Sequence, residues 1–436
     1  MLRDKELLLF GDLKDHEILD DMSELIYEYE FGYDEEENGR YRALLFSIVH
    51  RLIKYASDYG FEGNLWHMYL AGILVDNENV YSAAAELKGE PDGSVNDIML
   101  HDCGIFREMF EYDLDAIDEN LAAGCISFIK DYKGTGFCGG RMDARVRDKI
   151  NTLALMLAKS EDAAGFKDIL TGFYKDFGVG KFGLNKAFYV ERDKAGEIRL
   201  LPVSNVSDAV LDDLVGYETA KRKLIENTEA FIYGRPANNC LLFGDAGTGK
   251  SSMIKGLLNE YYDSGLRVIE LYKHQFGDIN DVLAAVRNRN YRFILCLDDL
   301  SFEESETEYK YLKALIEGGI GNMPENVLVY ATSNRRHLVK ETWSDRDDIR
   351  VDNGIHKSDT MQEKLSLAYR FGVTVYFPKP DKKEFNNIVK VLAERNGIDM
   401  PEDELLLEAN KWELGHGGLS GRTARQFIDH ISERKR

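Results

Sequence analysis

Two hydrophobic patterns divide the chain. From about residue 12 to about residue 176, apolar residues recur three and four positions apart, as over 41–59 and 150–159, which gathers them on one face of a helix. Breakers within 60–64, 89–93 and 134–140 supply the turns between these helices. The pattern predicts an all-helical domain over residues 1–205 with no internal repeat or low-complexity tract. Near its end, Ala187-Phe188-Tyr189-Val190 and Ile198-Arg199-Leu200-Leu201 suggest a hairpin around Lys194-Ala195-Gly196, and Gly178, Gly180 and Gly183 around Lys181 read as an interdomain turn. Beyond residue 205, short apolar runs alternate with helical stretches. Cys240-Leu241-Leu242-Phe243 and the runs over 267–272, 291–297, 326–331 and 373–377 read as strands. Strands alternating with helices predict an α/β domain over residues 206–380, with a parallel five-stranded sheet covered on both faces. After Asp381 the pattern is purely helical, which predicts a small helical lid over residues 381–436.

The first of these strands runs straight into Gly244-Asp245-Ala246-Gly247-Thr248-Gly249-Lys250-Ser251, a complete G-x-x-x-x-G-K-[ST] sequence, and Ser252 opens a helical run. Strand, glycine loop and helix in this order form a phosphate cradle. The glycines let backbone N–H groups turn inward, and the helix start adds the positive end of its dipole. Lys250 neutralises the outer phosphates and Ser251 ligates Mg2+ in such a loop. A second apolar run ends in Asp298-Asp299. Carboxylates at that strand end sit where ligands gather in a parallel sheet, so Asp298 is the candidate partner for Mg2+ and Asp299 the candidate to orient or deprotonate an attacking water.

Composition narrows the reading. A chain of 436 residues is long enough for two or three domains, and 44% hydrophobic with 30% charged residues describes a folded globular protein. The net charge of -22 opposes nonspecific binding to nucleic acid or anionic lipid. The basic runs Arg287-Asn288-Arg289-Asn290-Tyr291-Arg292 and Arg335-Arg336-His337 are read as solvated turns or intersubunit contacts. No apolar run is long enough to span a membrane, and the charged start Met1-Leu2-Arg3-Asp4-Lys5-Glu6 is unlike a secretory signal, so a cytoplasmic protein is expected. Cys103, Cys125, Cys138, Cys240 and Cys296 form no C-x-x-C pair and are expected to be reduced and inert. The acidic stretch 33–38 lacks the alternating ligands of a calcium loop, and His50, His67 and His101 have no ligand partner at metal spacing.

Taken in order, the phosphate loop, Asp298-Asp299, Ala331-Thr332-Ser333-Asn334, Tyr369-Arg370-Phe371-Gly372 and Gly421-Arg422-Thr423-Ala424-Arg425 resemble the motifs of AAA+ ATPases. More narrowly, Pro236-Ala237-Asn238-Asn239, the segments 298–303 and 332–338, and Glu363-Lys364-Leu365-Ser366-Leu367 resemble a bacterial AAA+ group known mainly as a domain of unknown function. The resemblance implies ATP and Mg2+ as cofactors. It places Val215-Gly216-Tyr217 against the adenine and makes Asn334 the polar residue, sensor 1, that positions the attacking water. It makes Arg370 an arginine finger supplied to a neighbouring subunit and Arg422 the lid arginine, sensor 2, with Arg425 as the alternative. Two departures stand out: Asp299 replaces the usual Glu, which implies slow hydrolysis or help from Glu303, and residues 343–359 resemble an inserted loop. The expected function is an ATPase that remodels or loads an unknown protein or nucleic-acid partner. A nucleotide-dependent loader or switch is the alternative, and a P-loop small-molecule kinase the third reading.

Overall fold

The computed structural model describes residues 4–13, 17–134, 142, 144–203, 206–207, 209–302, 306, 308–317, 323–335, 338 and 367–433. The chain packs as two units, Met1–Asn185 and Lys186–Arg436.

The first unit is helical, as its periodicity predicts. Its central helix, Leu65–Asp76, is buried on nearly all sides, which is why its sequence is apolar throughout and not striped. Asn64 caps it by accepting from the Trp66 and His67 amides. The helices Asn38–Tyr59, Val95–Glu111, Ala144–Leu157 and Ala163–Phe177 surround it with amphipathic faces. The acidic stretch after Tyr33 forms a single 3-10 turn, Glu35–Glu37, capped by Asp34. The fully buried Asp102 accepts from the backbone amides of Leu8, Leu9 and Phe10, so its charge is met by donors of the N-terminal segment. His67 Nε2 lies 2.9 Å from the Phe110 carbonyl and His101 Nδ1 lies 3.0 Å from Asp102, so each of these histidines has a structural partner.

The second unit is built on a seven-stranded sheet: β1 Ala187–Arg192, β2 Ile198–Pro202, β3 Cys240–Gly244, β4 Leu266–Glu270, β5 Arg292–Leu297, β6 Val327–Ser333 and β7 Val373–Phe377. The strand order is β2-β1-β4-β5-β6-β3-β7. The five strands expected from the sequence are the parallel core, and the sheet has two more because the 187–202 hairpin joins it. β1 pairs in parallel with β4, and the Val268 amide donates to the Lys186 carbonyl at 3.1 Å. β2 pairs antiparallel with β1, so that edge is not parallel. The unit boundary therefore falls between Asn185 and Lys186 and not at residue 205. β6, the most enclosed strand, is buried at every position.

Helices Glu218–Ile232 and Lys250–Tyr261 pack an apolar core that includes Leu224, Met253, Leu257, Leu242 and Tyr330. The last three helices, Lys382–Arg395, Glu402–Gly415 and Gly421–Glu433, share a separate core around Phe385, Val389, Ala409, Ala424 and Phe427, against which Val215 packs. Cys103, Cys125 and Cys240 are buried, Cys296 is half-buried, and all four are free thiols, while Cys138 lies outside the described residues. Among the described residues no helix is long and apolar enough to cross a membrane.

Candidate functional site

The phosphate-loop strand β3 lies between β6 and β7, one strand in from the β7 edge, and its carboxyl end leads into the loop. There the chain turns from strand to helix over 244–250 with three glycines at positive φ: Gly244 at 141°, Gly247 at 76° and Gly249 at 92°. A Cβ on Gly244 would lie 2.0 Å from the Phe377 carbonyl oxygen, and one on Gly249 would lie 2.5 Å from Leu214 Cδ2. Gly244 needs glycine for space as well as for conformation, because backbone stands against it, whereas Gly249 needs it for conformation, the Leu214 methyl being the end of a side chain that can turn away. The loop faces a cavity of about 790 Å³, lined by Ala246 to Ser252, by Asp298, Asp299, Thr332 and Asn334, and by Arg422 and Arg425 from the C-terminal helices.

Lys250, only 7% exposed, donates to three acceptors: the carbonyls of Gly244 at 3.0 Å and Asp245 at 2.6 Å, and Asn334 Oδ1 at 2.9 Å. Burial lowers its pKa, Asp245, Asp299 and Asp298 oppose that shift, and Arg422 adds to it. Ser251 Oγ donates to Asp298 Oδ1 at 2.5 Å. Asp298 follows β5, which is not adjacent to β3; β6 stands between them and supplies the bridge. Thr332 Oγ1 donates to the same Asp298 oxygen at 2.5 Å and accepts from the Asp299 amide at 2.9 Å. Asn334 Nδ2 donates to Asp299 Oδ1 at 2.7 Å, so the side chain of Asn334 spans Lys250 and Asp299. Asp299 has a left-handed backbone, φ 51°.

Ser251 and Asp298 offer only hard oxygen ligands, a hydroxyl and one carboxylate. That donor set suits Mg2+, which keeps several waters and shares phosphate oxygens instead of sitting in an all-protein cage. Consistent with that limited set, no group of three or more His, Cys, Asp or Glu side chains gathers to hold a metal among the described residues.

A family described as a protein of unknown function, DUF815, matches residues 184–435, more than half of the chain. The chain belongs to the DUF815 family. The expected resemblance, to an AAA+ P-loop group known mainly as a domain of unknown function, is thereby borne out. Among curated proteins, a replication factor C large subunit from Staphylothermus marinus is 34% identical over 71 residues, which are 16% of this chain and 16% of that protein. Among solved structures, the RuvB Holliday junction branch migration motor of Thermotoga maritima is 17% identical, with a TM-score of 0.37 over 52% of this chain and 65% of that one. A variant of the same RuvB is 18% identical with the same score over the same shares.

In this DUF815 protein the residues singled out from the sequence take different places. Lys250, Ser251, Ser252, Asp298, Asp299, Asn334 and Arg422 line one cavity, together with Ala246 to Gly249. Gly244 and Asp245 stand beneath it, their carbonyls on Lys250. Val215 and Tyr217 also line it, and Gly216 between them has a φ of 85°. The Tyr217 hydroxyl donates to the Pro378 carbonyl at 2.9 Å, and burial, with Glu384 and Asp245 adding, pushes its pKa up to about 12. Arg370 is not among the cavity's lining residues; it sits in the turn before β7, its amide on the Leu367 carbonyl at 3.3 Å. Of the two arginines near 421, Arg422 is tied to the loop, its amide donating to the Gly247 carbonyl at 3.1 Å, whereas Arg425 lies 3.9 Å from Asp213, which also pairs with Arg395. Glu303 and the stretch 343–359 lie outside the described residues.

Thr332 is a site residue that the Ala331-Thr332-Ser333-Asn334 motif alone does not distinguish. Its signal is a hydroxyl at the end of an apolar strand, one position beyond the Leu297–Ala331 pair and so level with Asp298.

Proposed function

We propose that this protein binds MgATP at the carboxyl ends of β3, β5 and β6, hydrolyses it, and couples the bound state to its C-terminal helices as an ATPase that remodels or loads a macromolecular partner. The observation that carries the reading is the convergence of Lys250, Ser251, Asp298 and Asn334 on a loop whose three glycines stand at positive φ. Loop amides and the start of helix Lys250–Tyr261 bind the phosphates, and the Lys250 ammonium exchanges its present acceptors for phosphate oxygens. Ser251 and Asp298 would hold the magnesium ion, which when bound neutralises charge on the phosphate oxygens. Asp299, its carboxylate oriented by Asn334, accepts the proton of the attacking water. Arg422 brings a planar, permanently charged fork from the helical lid to the phosphates. Arg370 acts on a neighbouring subunit's nucleotide, which makes the working form an oligomer; its place outside the cavity supports this role. Val215, Gly216 and Tyr217 lie against the base.

One observation favours the switch reading, in which binding matters more than turnover. The residue after Asp298 is a short Asp held in left-handed backbone, a weaker placement for a general base than the usual longer carboxylate. Phosphate release from MgATP, with and without candidate partners, separates the readings. Turnover by the unaltered protein that is lost in Lys250→Ala supports the ATPase, turnover near zero with tight binding supports the switch, and phosphate transferred to an added acceptor supports a kinase. Activity recovered by mixing Arg370→Ala with Lys250→Ala would show that the arginine acts between subunits.

A further inference from the structure

A carboxylate inside a phosphate loop opposes an anionic ligand by charge, so Asp245 calls for a use other than binding. Its contacts supply one. Asp245 Oδ2 accepts the backbone N–H of Lys379 at 3.0 Å, its own amide donates to the Phe377 carbonyl at 3.2 Å, and its carbonyl accepts from Lys250 Nζ at 2.6 Å and Thr248 Oγ1 at 2.8 Å. One residue thus grips the phosphate-loop lysine and the segment that leaves the sheet. That segment is short: β7 ends at Phe377 and Asp381 already caps helix Lys382–Arg395 through a capping box with Glu384. Of the three residues between, Pro378 and Pro380 have no N–H and fixed φ, so Lys379 provides the one backbone donor, and Asp245 takes it. A linker stiffened by two prolines passes on a displacement instead of absorbing it. A second tie, the Arg422 amide on the Gly247 carbonyl, joins the same loop to helix Gly421–Glu433.

We propose that Asp245 is a positioning residue that links the phosphate loop to the 378–380 linker, so that rearrangement at Lys250 on nucleotide binding is relayed to the C-terminal helices. The inference rests on the reading of the loop as a MgATP site.

Hydrogen exchange across 382–395, measured on the full chain with and without MgATP, tests it. MgATP is expected to slow exchange there in the unaltered protein. In Asp245→Ala that nucleotide-dependent slowing shrinks about 3- to 10-fold, the worth of one net hydrogen bond. Asp245→Asn, which keeps an acceptor and drops the charge, retains it. Lys379→Pro, which removes the donor without touching the loop, loses it to the same extent, and the double variant is no worse than either single one. Exchange is compared at saturating MgATP for each variant, and Lys379→Pro, which leaves the loop sequence unaltered, carries the test where an Asp245 variant binds MgATP too weakly. Full slowing in Asp245→Ala or in Lys379→Pro, or loss in Asp245→Asn, at saturating MgATP would overturn the positioning role. Failure of the unaltered protein to bind MgATP any better than Lys250→Ala would instead remove the nucleotide reading on which the coupling depends. The exchanged Asp245–Lys379 bond is solvent-exposed, so folding of Asp245→Ala is expected to be intact, and its thermal melt checks this.

Discussion

Replacing Thr332 with valine isolates the bridge between the two acidic residues and the sheet. The side chain is 2% exposed and valine has nearly the same shape, so what the change tests is the loss of the buried hydroxyl and its bonds. Two bonds go with it: the donation to Asp298 Oδ1 and the acceptance from the Asp299 amide. A hydrogen bond to a charged group is worth roughly 1.5–3 kcal/mol. Asp298 is exposed and water can replace the lost donor, which places that bond at the low end. The part-buried Asp299 amide, left without its acceptor, adds about 1 kcal/mol. Together these give a loss of about 2–3 kcal/mol, or roughly 30- to 150-fold in the folded to unfolded ratio of the second unit. Urea unfolding followed by a probe in that unit measures it, with Thr332→Ser as the comparison that keeps the hydroxyl. Magnesium-dependent nucleotide binding should weaken in the valine variant and survive in the serine one. A valine variant as stable as the serine variant, with unaltered magnesium dependence, would refute the idea that Thr332 sets the Asp298 carboxylate.

Gly244→Ala should cost several kcal/mol or prevent folding, because its Cβ would collide with the Phe377 carbonyl; soluble expression and a denaturant melt check it. Lys250 has a pKa lowered below 10.5, so its ammonium is lost as pH rises through that lowered value; MgATP affinity should fall at a pH below 10.5, and titration calorimetry against pH reads the midpoint. Stability moves the other way, since the unfolded chain holds more protons between the folded and unfolded pKa values and stability therefore rises with pH across that window. Asp299→Glu, which restores the usual AAA+ residue, should lower stability by about 1 kcal/mol and fail to raise turnover, because a longer side chain suits the left-handed backbone less well; a thermal melt and a phosphate-release assay report both.

Most of the parallel sheet was legible because each strand is a short apolar run with turn residues at its ends, and β6 and β7 fall within two residues of where the pattern puts them. The hairpin was legible as a hairpin but not as part of this sheet. Its pairing with β4 is a contact distant in sequence, which neither alternation nor turn chemistry encodes. The phosphate loop could be read because its glycines, lysine and serine are adjacent in sequence. The contacts that organise the acids could not, since Thr332 and Asn334 reach Asp298, Asp299 and Lys250 across strands. The meeting of Arg395 and Arg425 at Asp213 was likewise not legible, since only the folded chain creates it.

Calorimetric titration of the full chain with ATP, in magnesium and in excess chelator, beside the same titration of Lys250→Ala, bears most directly on the site. Saturable, magnesium-dependent uptake of ATP is expected of the unaltered protein, and at least a tenfold weaker response, about 1.4 kcal/mol, once the lysine is gone. Equal heats from the two proteins, or binding indifferent to magnesium, would contradict it.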